Sequence, residues 1–182
     1  SVFCTGCFQS IAPPSFTSEP TISFNPNPQA PQAAIVKFST NKPVTTAIRI
    51  KDGEWERELI YDASYNPEEG LPVIGLVPDR THELSIFIHD DFGRLTESAE
   101  KLAFHSLALP RDTKDFPPID QVVYKAEEME SGIILINPRR TRAGDLDFGQ
   151  DFGLLVALNG KGKVVWYYRT DSRISDFQRL QN

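Results

Sequence analysis

Two cysteines, three histidines, an acidic alternation and an arginine cluster are the residues of this 182-residue chain whose types and spacing suit chemistry. Cys4-x-x-Cys7 has the spacing of a redox pair or of half a zinc site. A redox pair wants a strand-to-helix context that the surrounding residues lack, and zinc wants two further ligands. His82, His89 and His105 are not paired in a way that supplies them. His82 and His89 stand seven apart on one predicted strand, so they point to opposite faces and read as solvated strand-end residues. Glu54, Glu56 and Glu58 alternate with Trp55, Arg57 and Leu59, which places an acidic stripe along one strand face. Trp55 is a candidate ligand platform, and the plainer reading is an aromatic packed on a neighbouring domain. Asp145-x-Asp147-x-Gly149-x-Asp151 alternates oxygen ligands as calcium loops do, but Gln150 and Val156 stand where an EF-hand needs Gly and Glu. Arg139, Arg140 and Arg142 offer an anion such as sulfate or phosphate a set of donors, unless Asp145 and Asp147 neutralise them.

The elements that position these residues follow from composition and period. The net charge is −6 and no extended basic run follows the sequence beyond the short Arg139–Arg142 cluster, so nothing there marks a nucleic-acid or anionic-membrane partner. No apolar run approaches the ~20 residues of a membrane span. Seven of the 14 prolines fall between Pro13 and Pro43, which makes residues 1–19 an extended, flexible tail. Thr5-Gly6-Cys7 resembles a bacterial lipobox, with Cys4 where an aliphatic residue is usual. The tail therefore reads either as an inert exposed segment or as a tether lipidated at Cys7, downstream of a secretory signal.

Period-2 alternation dominates from Thr21 onward. Ala34, Val36 and Phe38 share one face, as do Val44, Thr46, Ile48 and Ile50, and later Leu84, Ile86 and Ile88. Asp52-Gly53 and Asp90 to Gly93 supply turns, with further strands over 54–61, 71–76 and 96–104. About seven short strands at this spacing define a β-sandwich over 20–107. The Leu76-Val77-Pro78 turn leading to His82 resembles the late corner of fibronectin type III domains, with His82 or Leu84 replacing the usual tyrosine. Residues 108–118 are a Pro- and charge-rich linker. In 119–182, a hairpin over Leu154 to Tyr168 turns at Asn159-Gly160, and its runs are apolar enough to need cover on both faces. A unit this short cannot supply that cover, so it reads as the first blade of an incomplete propeller, at the N-terminal end of something longer. Association between copies through its strand edges is a further expectation.

Three features together, an Ig-like sandwich, a proline-rich joint and a blade running Gly153-Leu154-Leu155 to Val164-Val165-Trp166-Tyr167-Tyr168, are similar to bacterial arylsulfate sulfotransferases. Asn159 stands where that family commonly has Asp, and Asp176 to Asn182 resembles the lead into a next blade. The resemblance implies an all-β protein, periplasmic or exported, that in its full length moves a sulfuryl group from a phenolic sulfate ester to a phenol acceptor. It implies a transiently sulfated histidine in later blades, assisted by further His and Arg, and no nucleotide donor or other cofactor. None of His82, His89 and His105 matches those positions, so no catalytic, cofactor-binding or metal-binding role is carried over to this chain. Propellers that bind pyrroloquinoline quinone share an approximate blade motif at Ala157, Asn159, Gly162 and Trp166. A non-enzymatic Ig-like adhesion or binding module is the other alternative.

Overall fold

The computed structural model describes residues 12–53, 55–119, 125, 128, 132–138 and 151–177. Cys4, Cys7, Glu54, Arg139, Arg140, Arg142, Asp145 and Asp147 lie outside the described residues. The regular elements are all strands: β1 (Phe16–Phe24), β2 (Ala34–Thr40), β3 (Thr45–Lys51), β4 (Glu56–Tyr61), β5 (Leu71–Val73), β6 (Thr81–His89), β7 (Leu95–Glu97), β8 (Leu102–His105), β9 (Ile133–Ile136), β10 (Gly153–Asn159) and β11 (Val164–Thr170).

The first eight form an Ig-like sandwich. One sheet has the order β1-β2-β5; the other runs β4-β3-β6-β7, with β8 also on β6. Every pairing is antiparallel. The alternation read from sequence is the alternation of burial. Ala34, Val36, Phe38, Leu71 and Val73 from one sheet meet Ile48, Ile50, Leu84, Ile86, Ile88 and Phe104 from the other in a single core. Each buried Ile or Leu contributes about 1.5–3 kcal/mol of transfer free energy, which makes this face the main driving force. Tyr61 ties the two sheets, its hydroxyl donating to the Pro72 carbonyl, and burial pushes its pKa up to about 12. Pro72 sits on an edge strand and Pro20 within the register shift between Ser18 and Thr21 of β1, where a missing N–H costs no ladder bond.

Several boundaries differ from the sequence reading. β1 starts at Phe16, so residues 16–19 pair with β2 rather than trailing as a tail. β5 stops at Val73, ahead of Gly75 with its positive φ of 88°. The closing strand splits into β7 and β8, both on β6. The first hairpin turn also closes one residue later than Asp52-Gly53 implies. Asp52 N–H donates to the Trp55 carbonyl, and Asp52 Oδ1 accepts the Trp55 N–H.

β9, β10 and β11 form the second unit, a single antiparallel sheet in the order β11-β10-β9. Its hairpin is the one expected, with a different turn. Gly162, rather than Gly160, takes the left-handed φ of 68°. The buried Asn159 ends β10 and organises the loop, its Oδ1 accepting the N–H groups of Lys161 and Lys163 at 3.0 Å each. This is a three-residue loop closed by a left-handed glycine. One face of the sheet, with Leu154, Val156 and Tyr167, is covered by Phe116 and Phe152, so part of the proline-rich joint is core to this unit. Among the described residues no helix is long and apolar enough to cross a membrane.

Candidate functional site at the seam between the sandwich and the second sheet

The seam begins at the corner 77–82. Val77 is buried between the sandwich and the second sheet, packed with Ala157 and Val165 and flanked by Trp55 and Trp166. Its carbonyl accepts two hydrogen bonds, from His82 Nε2 at 3.0 Å and from the Ser106 hydroxyl at 2.5 Å. Asp79 N–H donates to Leu107 O, and Ser106 N–H to Arg80 O, so the corner is stitched to the strand that follows β8. His82 is fully buried, which corrects the solvated strand-end reading: its side chain replaces the corner tyrosine and caps a carbonyl inside the fold. Desolvation holds its pKa below 6.5, partly offset by the Val77 hydrogen bond and by Asp52.

Polar contacts clamp the far end of the seam. Gln29 O accepts the Arg169 N–H at 2.8 Å, and Gln29 Oε1 accepts the Tyr168 hydroxyl at 3.0 Å. Arg169 also reaches Asp115 at 2.9 Å, so sandwich, joint and hairpin share one set of side chains. Trp55 packs onto the second unit, the plainer of its two readings. Its neighbour Arg57 lies with its guanidinium 5.6 Å from the Trp55 ring, and burial lowers its pKa.

Two clefts open along this seam. The larger, about 850 Å³, is apolar, lined by Ile74, Leu155, Trp166 and Phe177 together with Ile133 and Leu135 of β9, an edge strand with exposed apolar side chains. The smaller, about 620 Å³, lies between the corner, the joint and the β10–β11 loop, and among the described residues its charged lining is cationic: Arg80, Arg111, Lys161 and Lys163. Sequence reasoning missed it because these four residues are scattered over more than eighty positions.

The other chemistry-bearing residues do not converge. His89 and His82 face opposite sides of β6, as their spacing predicts. His105 lies near Thr81 Oγ1 (Nδ1, 3.0 Å) and Asp79 Oδ1 (Nε2, 3.4 Å), all three exposed to water and lining neither cleft. Glu56 and Glu58 are paired with Arg49 and Lys51 across the β3–β4 ladder at 3.1–3.4 Å, a solvent-screened arrangement worth little. Asp151 is the one residue of the calcium-like alternation among those described that bears a carboxylate. Among the described residues no three His, Cys, Asp or Glu side chains gather as metal ligands would.

These features define an Ig-like sandwich whose late corner receives a small second sheet. Residues 21–102, from within β1 to the first residue of β8, match the family model of the arylsulfotransferase Ig-like domain. No curated protein matches the chain.

Proposed function

We propose that this chain is the N-terminal, non-catalytic portion of an arylsulfate sulfotransferase, with β9–β11 as the first blade of its propeller. The match of residues 21–102 to the arylsulfotransferase Ig-like domain carries the reading. The docking of the β10–β11 hairpin on the Val77 corner supports it, because a blade that packs on the sandwich would fix where the propeller starts. The apolar side chains left open on β9 would then be covered by a neighbouring blade.

In this reading residues 12–177 position and do not react. Sulfuryl transfer from a phenolic sulfate ester to a phenol would run through a histidine of a later blade, and the protein would be exported, with Cys7 as its lipid anchor. The test is an assay of the full-length protein with 4-nitrophenyl sulfate as donor and phenol as acceptor, without nucleotide. Transfer that disappears when a downstream histidine is replaced supports the proposal. A full-length protein without transfer returns the chain to an Ig-like binding module. Fatty-acid labelling that is lost in Cys7→Ser tests the anchor separately.

A further inference from the structure

The cationic cleft is the feature that neither the sandwich nor the seam requires. In a chain of net charge −6, four cations from three separate elements line one concavity of about 620 Å³, with no acidic residue in its lining among the described residues. Arg80 comes from the corner before β6, Arg111 from the joint, and Lys161 and Lys163 from the β10–β11 loop.

Asp52 lies 3.9 Å from Arg80, and the carboxylates nearest the other cations in sequence are committed elsewhere. Asp79 faces His105, Asp115 holds Arg169, and Asp112 Oδ1 caps the Lys114 N–H at 2.8 Å. Arg111 and Lys163 have no ion-pair partner among the described residues. The like charges of Arg111 and Lys163 at one cleft repel each other, and an anion offsets that repulsion.

The walls are fixed before any ligand arrives. Ser106 and His82 lock the Val77 carbonyl, Asn159 holds the loop that carries both lysines, and Phe116 is anchored edge-to-face on Tyr167 at 5.2 Å. Between the cations the lining is apolar, with Val77, Pro78, Phe116, Pro117 and Val164. A guanidinium fork beside ammonium groups suits an oxyanion, and an apolar lining suits a hydrocarbon body attached to it.

We infer that this cleft binds an oxyanion carried on an apolar body, of the chemical type of a phosphate monoester. The inference does not rest on sulfuryl transfer by the full-length protein. It is tested on the chain itself by titrating phenyl phosphate, at low ionic strength, against amide NMR spectra. Phenyl phosphate is expected to shift the amides of Gly162, Lys163 and Val164 saturably. The double variant Arg111→Glu/Lys163→Glu should weaken that binding by about tenfold or more, since each charge-assisted contact is roughly twice as strong as a neutral one. Both positions are exposed, so the variant should keep the wild-type spectrum elsewhere.

Inorganic phosphate should bind more weakly than phenyl phosphate, and phenol should not shift these amides. No saturable shift, equal binding by the charge-reversed variant, or binding of phenol or inorganic phosphate as tight as phenyl phosphate would each overturn the inference.

Discussion

His82 Nε2 lies 3.0 Å from the carbonyl oxygen of Val77, five residues back along the chain. A carbonyl only accepts, so Nε2 carries the hydrogen; burial favours the neutral ring, and its Nδ1 has no partner among the described residues. The contact does for this sandwich what a corner tyrosine does in other Ig-like domains: it pins the turn before a long strand, here β6. Here the pinned turn also carries Val77 into the seam.

Replacing tyrosine with histidine at the corner makes stability depend on pH. Burial lowers the His82 pKa; Arg80 and His105 push the same way, while Asp52 and the Val77 bond oppose it. Between the native value and the unfolded value of 6.5 the unfolded chain binds more protons, so stability rises with pH there. The contribution is complete above 6.5 and is lost as pH falls below it. Urea unfolding of His82→Phe should show a loss of about 1–3 kcal/mol at neutral pH, from the lost hydrogen bond, and a flatter pH dependence below 6.5. An unchanged slope in the variant would mean another group governs that window.

A second acid limb is expected lower on the pH scale. Asp90 accepts Arg94 Nε at 2.9 Å, the N–H groups of Phe92 and Arg94 at 3.0 and 3.1 Å, and lies 3.5 Å from Lys42 Nζ. Hydrogen bonding from the Arg94 side chain leads in holding its pKa down to about 2 from 3.8. A depressed carboxylate stabilises above its unfolded pKa, so this contribution is lost as pH falls from 3.8 through about 2. Asp62, lowered by Ser64, titrates in the same direction. Asp90→Asn should therefore shrink the low-pH loss without abolishing it, as thermal unfolding over an acid series would report. If the variant lost stability at acid pH as steeply as the parent, the turn would not be the source.

Gly75 and Arg57 should be energetically coupled. Gly75 has a φ of 88°, and a Cβ built there would fall 1.8 Å from Arg57 Nη1. Gly75→Ala is expected to cost about 1–2 kcal/mol for the left-handed backbone, plus whatever displaces the guanidinium from Trp55. In an Arg57→Ala background only the backbone part should remain, giving a coupling of about 0.5–3 kcal/mol in a double-mutant cycle. Strict additivity would show that Arg57 moves aside freely.

The sandwich was legible in sequence because its signal is local. Alternation through Ala34–Phe38, Thr46–Ile50 and Leu84–Ile88 fixes which face is buried without knowledge of any partner. The turns were legible only approximately. Asp52-Gly53 and Asn159-Gly160 both mark a reversal, but which residue takes positive φ depends on where the ladders close, and Gly162 took that place in the second. His82 was misjudged because its partner is a backbone carbonyl, which leaves no mark in a side-chain pattern. The cationic cleft was invisible for a related reason: Arg80, Arg111 and the two loop lysines meet only after the hairpin docks.

That docking should be what holds the second sheet. β9–β11 comprise three strands, and one apolar face of the hairpin is covered in part by Val77 and Trp55 of the sandwich. Sheets of this size are marginal alone and need a packed face. Val165, 1% exposed at the centre of the contact, is the position at which to break it. Val165→Glu would bury an unpaired carboxylate, at a cost of about 3 kcal/mol or more, or force the seam open. Hydrogen exchange should then speed up at the amides of β10 and β11 and at Arg169, whose N–H donates to Gln29 O, while β3 and β6 keep their protection. The core of the sandwich contains no residue of the hairpin, so it has no reason to follow. Protection of β10 and β11 that survives the substitution would show that Phe116, Phe152 and Tyr167 on the opposite face suffice to hold the sheet.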